Sequence, residues 1–204
     1  MAKSKKNETE HASILLNAAR HITLSPSEEK YFTSLLHIQQ FKAKEFILKP
    51  GQACDNISYV NSGALRSYYC DHKDHQATIM FAIRDWWITD INCFVNQTKS
   101  MMSIEVIEDC QVSHLSRKNL DSLFEKVPKF EKFFRILMQN SYIREQMRAL
   151  ENLSLTAEER YINFLKKYPS ISSQVPQKHI ASYLGITPEF LSTIRRKISK
   201  GIRS

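Results

Sequence analysis

Residues 175–198, VPQKHIASYLGITPEFLSTIRRKI, constrain the fold more than any other stretch of this chain. Pro176 suits the first turn of a helix, where its missing N–H would have had no partner. Ile180, Ala181 and Leu184 then recur at helical spacing along one face. Gly185 ends that helix, because a left-handed C-terminal cap is cheap only for glycine. Thr187-Pro188 starts a second helix, with a hydroxyl N-cap and proline at N1. Leu191, Ile194 and Ile198 supply its buried stripe. Small Ala181 lets the two helices cross closely, so the segment predicts a helix-turn-helix whose second helix lies in the major groove of DNA. An ordinary helical hairpin inside a larger core is the competing reading. The offsets and the arginines crowding the second helix favour DNA.

The second helix is expected over residues 188–200. With its apolar stripe inward, Glu189, Ser192, Thr193 and Arg196 point outward on one side. Glu189 can accept a hydrogen bond from cytosine N4, and Arg196 can reach a guanine edge or a phosphate. Gln177, Thr187, Arg195 and Lys197 are better placed for phosphates, which position without specifying. Charge agrees with this. The formal net charge is +8, and residues 152–204 hold nine Lys/Arg against three acids, so three quarters of the excess lies beside the helix pair. A positive surface there gives salt-sensitive, sequence-independent affinity for a duplex.

A length of 204 residues and an apolar share of 42% allow two cored domains. Cys54, Cys70, Cys93 and Cys110 form no CxxC pair, so reduced thiols in a cytosolic protein are expected. The opening MAKSKKNETEH lacks the apolar stretch of a signal peptide, and no segment has the roughly 20 apolar residues of a membrane span. The expectation is a cytoplasmic protein without a membrane partner, flexible over residues 1–21.

Ser25-Pro26-Ser27-Glu28 is a capping box opening a helix to about His37. From residue 41 to 115 the period changes to short β-type runs, at 45–48, 57–60, 64–70, 77–82, 103–106 and 110–115. Turn signals at Lys49-Pro50-Gly51, Asn61-Ser62-Gly63 and residues 71–74 separate them, which suggests an antiparallel sandwich or roll. Beyond residue 115 the chain reads as helical. Phe133, Ile136, Asn140, Ile143, Met147 and Leu150 step alternately by three and four, a heptad seam suited to an identical partner helix, with Asn140 setting register. The alternative is a helix lying on its own sheet. Phe130, Phe134, Leu137 and Met138 already offer a second face for that task. Thr156-Ala157-Glu158-Glu159 is another capping box, opening a helix to about Tyr168, and residues 152–155 read as a hinge.

In this order of elements the chain resembles the Crp/Fnr family of bacterial transcription regulators. It is most similar to the branch common in Bacteroidetes, through Ala157-Glu158-Glu159-Arg160-Tyr161 and the IASYLGITPE-x-LS-x-IR signature within residues 175–197. The resemblance spans the chain from about Leu24, strong at the C-terminal signature and only architectural in the roll. It implies an α+β fold. Residues 22–118 would form a β-roll like a cyclic-nucleotide-binding domain, 119–151 a helical connection and dimer helix, and 152–204 the DNA-binding domain. Its implied partners are a second copy, a palindromic DNA operator and RNA polymerase. Relatives often carry arginine where Pro188 and Thr193 stand, so different target bases are expected. Family members also continue into a β-wing after the second helix, and the chain's last residues suggest a shortened or missing one.

The roll departs from the family pattern. Cyclic-nucleotide-binding members place a Gly-Glu pair and a later Arg in a phosphate cassette. The corresponding stretch reads Asp85-Trp86-Trp87-Ile88-Thr89-Asp90, then Gln97-Thr98-Lys99-Ser100-Met101. Asp90 can stand in for the carboxylate, but Ser100 or Met101 occupies the arginine position, which removes the bidentate phosphate contact. Trp86, Trp87, Asp90, Lys99 and Ser100 remain candidate pocket residues, although paired tryptophans usually pack as core and lid. No cofactor is expected: residues 1–40 hold no cysteine for an iron–sulfur centre, and no histidine is placed for haem. No metal is expected either, since His72, His75 and His114 lack cupin spacing and the first two suit a polar hairpin turn. Nothing resembles catalytic machinery. The expected protein is therefore a dimeric DNA-binding regulator that does not respond to cyclic AMP. The alternatives are a β-roll sensor with a vestigial DNA module, or a genuine cyclic-nucleotide-responsive regulator.

Overall fold

The computed structural model describes the backbone of residues 2–201 and the side chains of residues 11–199. It opens with α1 (Ala2–Ala19), which corrects the expected flexible N-terminus. Ile14 and Ala18 are fully buried against the roll, and Asn17 is nearly so. Asn17 Nδ2 donates to the Asp85 carbonyl at 3.1 Å, its Oδ1 accepts from Trp87 Nε1 at 3.1 Å, and Arg20 pairs with Asp85 at 2.7 Å. These long-range contacts fasten a segment whose composition looked merely polar. The predicted capping box then starts α2 (Pro26–Ser34), with Ser25 and Glu28 satisfying each other's backbone N–H.

The helix ends earlier than expected, because β1 (Leu36–Phe41) takes over and pairs antiparallel along β6. The other strands are β2 (Phe46–Leu48), β3 (Asn56–Cys70), β4 (Gln76–Ile83), β5 (Trp87–Ile88) and β6 (Met102–Ser116). The main path of the sheet is β1-β6-β3-β4, with β2 added to β6 and β5 to β3. One expected turn, and the breaks within two pairs of expected short strands, are absent as such. Residues 61–63 lie inside β3, and β6 runs unbroken from Met102 to Ser116. The 15-residue strands bend instead of stopping, through register shifts between Val60 and Leu65. Gly63 makes that bend possible. Its φ is +84°, and a Cβ there would lie 2.6 Å from Cys110 Cβ on β6.

Between β5 and β6 the chain makes the short α3 (Ile91–Asn96), then continues as α4 (Arg117–Lys126) and α5 (Lys129–Ser154). Phe130, Phe133 and Phe134 of α5 bury themselves in the core of the roll with Phe32, Leu65 and Leu123. A second core gathers α6 (Ala157–Lys167), α7 (Pro169–Gln174), α8 (Gln177–Leu184) and α9 (Pro188–Gly201) around Tyr161, Phe164, Ile171, Ile180 and Leu191. Phe81 of β4 also belongs to it, so the two units share an apolar contact. Helix α5 stays regular through Ser154, which reduces the expected hinge to extended Leu155 and the N-cap Thr156. Pro176 stands at the N-cap of α8 rather than inside its first turn. The architecture is α+β, an antiparallel roll with helices C-terminal to it. The wing expectation concerns residues beyond α9, outside those described.

Candidate functional site

The pair α8–α9 follows from its local chemistry. Gly185 caps α8 in the left-handed region at φ +67°, and no neighbouring atom would meet an added Cβ, so the backbone angle alone demands glycine. Thr187 Oγ1 accepts the Phe190 N–H at 3.2 Å and starts α9. Leu191 and Ile194 are buried, and Ile198 is half-buried against the same core. The helix therefore turns Glu189, Ser192, Thr193, Arg195 and Arg196 to solvent. Lys197 is also exposed but pairs with Glu158 at 2.6 Å across to α6. An exposed pair of this kind holds its partners weakly and can be exchanged for another anion. Thr193 donates its hydroxyl to the Glu189 carbonyl at 3.1 Å. Gln177, the first residue of α8, is half-buried with its side-chain oxygen shielded from solvent. Phe190 was missed by periodicity because it lies off the stripe, yet it is 51% exposed on the first turn of α9.

The roll and the helix pair are joined at the free edge of β4. Ser182 of α8 accepts the Thr78 N–H at 2.9 Å and donates to the Gln76 carbonyl, occupying two positions that a neighbouring strand would fill. Arg148 of α5 donates to the carbonyls of Ile79 at 2.6 Å, Thr78 at 3.0 Å and Tyr183 at 3.0 Å. Its guanidinium also lies 4.1 Å from the Tyr183 ring centroid. One arginine thus touches the roll, the long helix and the end of α8. A helix pattern reveals neither contact, since both depend on how α5 crosses β4.

The candidate pocket residues separate into two groups. Asp90 is buried, caps α3 by accepting the Cys93 N–H at 3.1 Å, and receives the Ser100 hydroxyl at 2.7 Å. The anion position at the start of α3 is therefore already held by a carboxylate, which would repel a phosphate. Arg117 serves the opposite end, donating to the carbonyls of Phe94 and Val95. Lys99 is exposed beside an isolated bridge to Ala53. Trp86 and Trp87, by contrast, line a cavity of about 480 Å³ between the roll and α5. Ile57, Met80, Met102 and Met138 share its wall and make most of the exposed lining apolar, while Asp85, Arg144 and Glu145 add charged groups. Trp87 also packs on Tyr59, Phe133 and Phe134, and Trp86 meets Tyr168 of the second unit.

The expected seam on α5 changes at one end. Phe133 is fully buried in the core of its own roll and is unavailable to a partner. Past the half-buried Ile136 the stripe is open: Asn140, Ile143, Met147 and Leu150 are exposed, and exposed Tyr142 and Leu153 widen it. His72 and His75 fall in the β3–β4 turn, where His75 pairs with Asp71 at 3.3 Å, while His114 is buried 2.8 Å from Ser58 Oγ. Among the described residues no helix is long and apolar enough to cross a membrane.

Residues 38–127 match the family model of the cyclic nucleotide-binding domain. Over 81–87% of its length the chain shares its fold with three solved bacterial proteins. It is similar to the c-di-GMP-responsive global regulator CLP of Xanthomonas campestris, at 13% identity and TM-score 0.71 over 87% of this chain and 93% of that one. It is similar to FixK2 of Bradyrhizobium japonicum, at 17% identity and TM-score 0.71 over 81% and 85% of the two chains. A protein of Eubacterium rectale assigned to the Crp/Fnr family is 17% identical, with TM-score 0.66 over 87% and 85%. No curated protein matches the chain in sequence.

Proposed function

We propose that this chain is a dimeric DNA-binding transcription regulator of Crp/Fnr type. The observation that carries the reading is α9 itself. It buries Leu191 and Ile194 and leaves a polar face with Glu189, Ser192, Thr193 and Arg196 outward, on the most basic quarter of the sequence. Such a helix, second in a pair turned at Gly185, has the form that enters a major groove. The exposed stripe from Asn140 to Leu150 supports a second copy docking along α5. Two-fold symmetry then calls for a near-palindromic operator with half-site centres about 34 Å apart or a multiple of it. Selection from a random duplex pool, followed by anisotropy at several salt concentrations, tests this. Sequence-selective binding that weakens with salt is expected; uniform affinity for all duplexes, or none, overturns it.

The roll is the regulatory half of this reading. The family match at residues 38–127 favours a nucleotide ligand, but the Asp90–Ser100 hydrogen bond, with Ser100 or Met101 at the expected arginine position, argues against a cyclic phosphate there. The apolar cavity against α5 suits a neutral, chiefly hydrophobic effector instead. Such a ligand acts only by preferring one arrangement of α5 and the helix pair over another. Calorimetry with cyclic AMP and cyclic GMP should show no binding at millimolar ligand. Micromolar binding that tightens operator affinity would reverse this assignment.

A further inference from the structure

Phe190 occupies an unusual place in the surface of the C-terminal unit. It is 51% exposed, while Tyr161, Phe164, Ile171, Leu184, Leu191 and Ile194 of the same unit are buried. Among the described residues of α6–α9, it is the large apolar side chain left most open to water. Phe190 belongs to neither hydrophobic core, so packing of the C-terminal unit does not require an aromatic ring there. Nor does its backbone, since the N–H held by Thr187 is available to any residue except proline.

Location then narrows what the ring can meet. Phe190 is the third residue of α9, next to outward-facing Glu189. Side chains on a helix tilt toward its N-terminus, so in the first turn the ring projects toward the end of α9 that approaches base edges. In a major groove the apolar feature on offer is the C5-methyl group of thymine. Phosphates and sugars, and the edges of the other bases, present polar atoms or ordinary CH groups there. Arg195 and Lys197 lie between about one and two turns further along and are suited to the backbone.

We propose that Phe190 is a specificity-determining residue that reads a thymine methyl in each half-site, beside the pair read by Glu189. This rests on the reading of α9 as the groove-entering helix. Because the side chain is half exposed and belongs to neither core, its replacement leaves both cores intact, and an unchanged thermal melt of the full-length variant verifies that.

The test uses the full chain, its selected operator, and duplexes in which each thymine is replaced in turn by deoxyuridine, which removes only the methyl. At one symmetric position the unaltered protein should lose about four-fold in affinity per half-site, the value of one buried methyl. Phe190→Ala should bind the thymine and deoxyuridine duplexes equally, and Phe190→Leu should restore part of the difference. If no position responds to deoxyuridine, or if Phe190→Ala responds as the unaltered protein does, the proposal is wrong while DNA recognition by α9 stands. A uniform loss by Phe190→Ala on every duplex would make the ring a backbone contact and also overturn it. Absence of any selective duplex binding by the unaltered chain overturns this proposal together with the reading beneath it.

Discussion

Gly63 bears two constraints at once, a positive φ and a backbone–backbone approach to β6 that leaves no room for a methyl. Gly63→Ala should therefore cost about 2–4 kcal/mol, combining left-handed strain with overpacking. A urea titration checks this, and a loss below about 1 kcal/mol would mean the strand bends elsewhere. Gly185 faces the backbone constraint alone, so alanine there should cost less. On the proposed reading of α9, substitutions at Glu189 and Lys197 should separate specificity from affinity. Glu189→Ala should relax preference at one base pair per half-site, because its carboxylate is exposed and free to accept from cytosine. Lys197→Ala should weaken all duplexes alike, once its exchangeable pairing with Glu158 is allowed for. Competition binding with a panel of single-base variants distinguishes the two, and a selective loss at Lys197 would reverse these roles.

Helices α5 and α8 and strand β4 form the working joint of the molecule. Ser182 and Arg148 complete hydrogen bonds that an edge strand otherwise leaves to water. Arg148→Ala removes three charge-assisted bonds and should weaken the joint by about 1.5–3 kcal/mol. Faster amide exchange at Thr78 and through α8, with the β3–β6 ladder unchanged, is the expected signature. Exchange that rises uniformly would point to global destabilisation instead. On the other side of α5, Ile143 and Met147 are 54% and 46% exposed. Ile143→Glu with Met147→Glu should give a folded monomer by light scattering, with much weaker operator binding. A dimer that survives both charges would place the interface away from this stripe.

For the whole molecule, two shielded imidazoles, buried His114 and half-buried His179, link stability to pH. Burial, aided by neighbouring His37, holds His114 down at about 4. His179 is likewise held at about 4, by burial first and then by Arg66 and Lys178. Each remains neutral in the folded chain where an unfolded imidazole, titrating near ~6.5, takes a proton. The unfolded state thus binds more protons between about pH 6.5 and 4, so stability is full above that window and falls as pH drops through it. His114 alone should cost about 2 kcal/mol between pH 7 and 5. His114→Gln should flatten that slope in urea midpoints taken at fixed protein concentration; an unchanged slope would assign it to other groups.

What the sequence determined by itself was local. The capping boxes at Ser25 and Thr156, the left-handed turn at Gly185 and the stripe of α9 each depend on residues within two helical turns, where short-range sterics and hydrogen bonding decide. The outward set on α9 was legible for the same reason, since a helix converts spacing directly into direction. Tertiary structure decided everything that required distant segments to meet. Asn61-Ser62-Gly63 reads as a turn but becomes a bend in β3, because β6 supplies partners on both sides of it. The N-terminal segment folds as α1 because Asp85 and Trp87 lie beneath Asn17. Phe133 fits the heptad as well as Ile143 does, yet the way α5 rests on the roll buries one and exposes the other. Periodicity defines a helix's faces, but only packing against the rest of the chain determines which face water reaches.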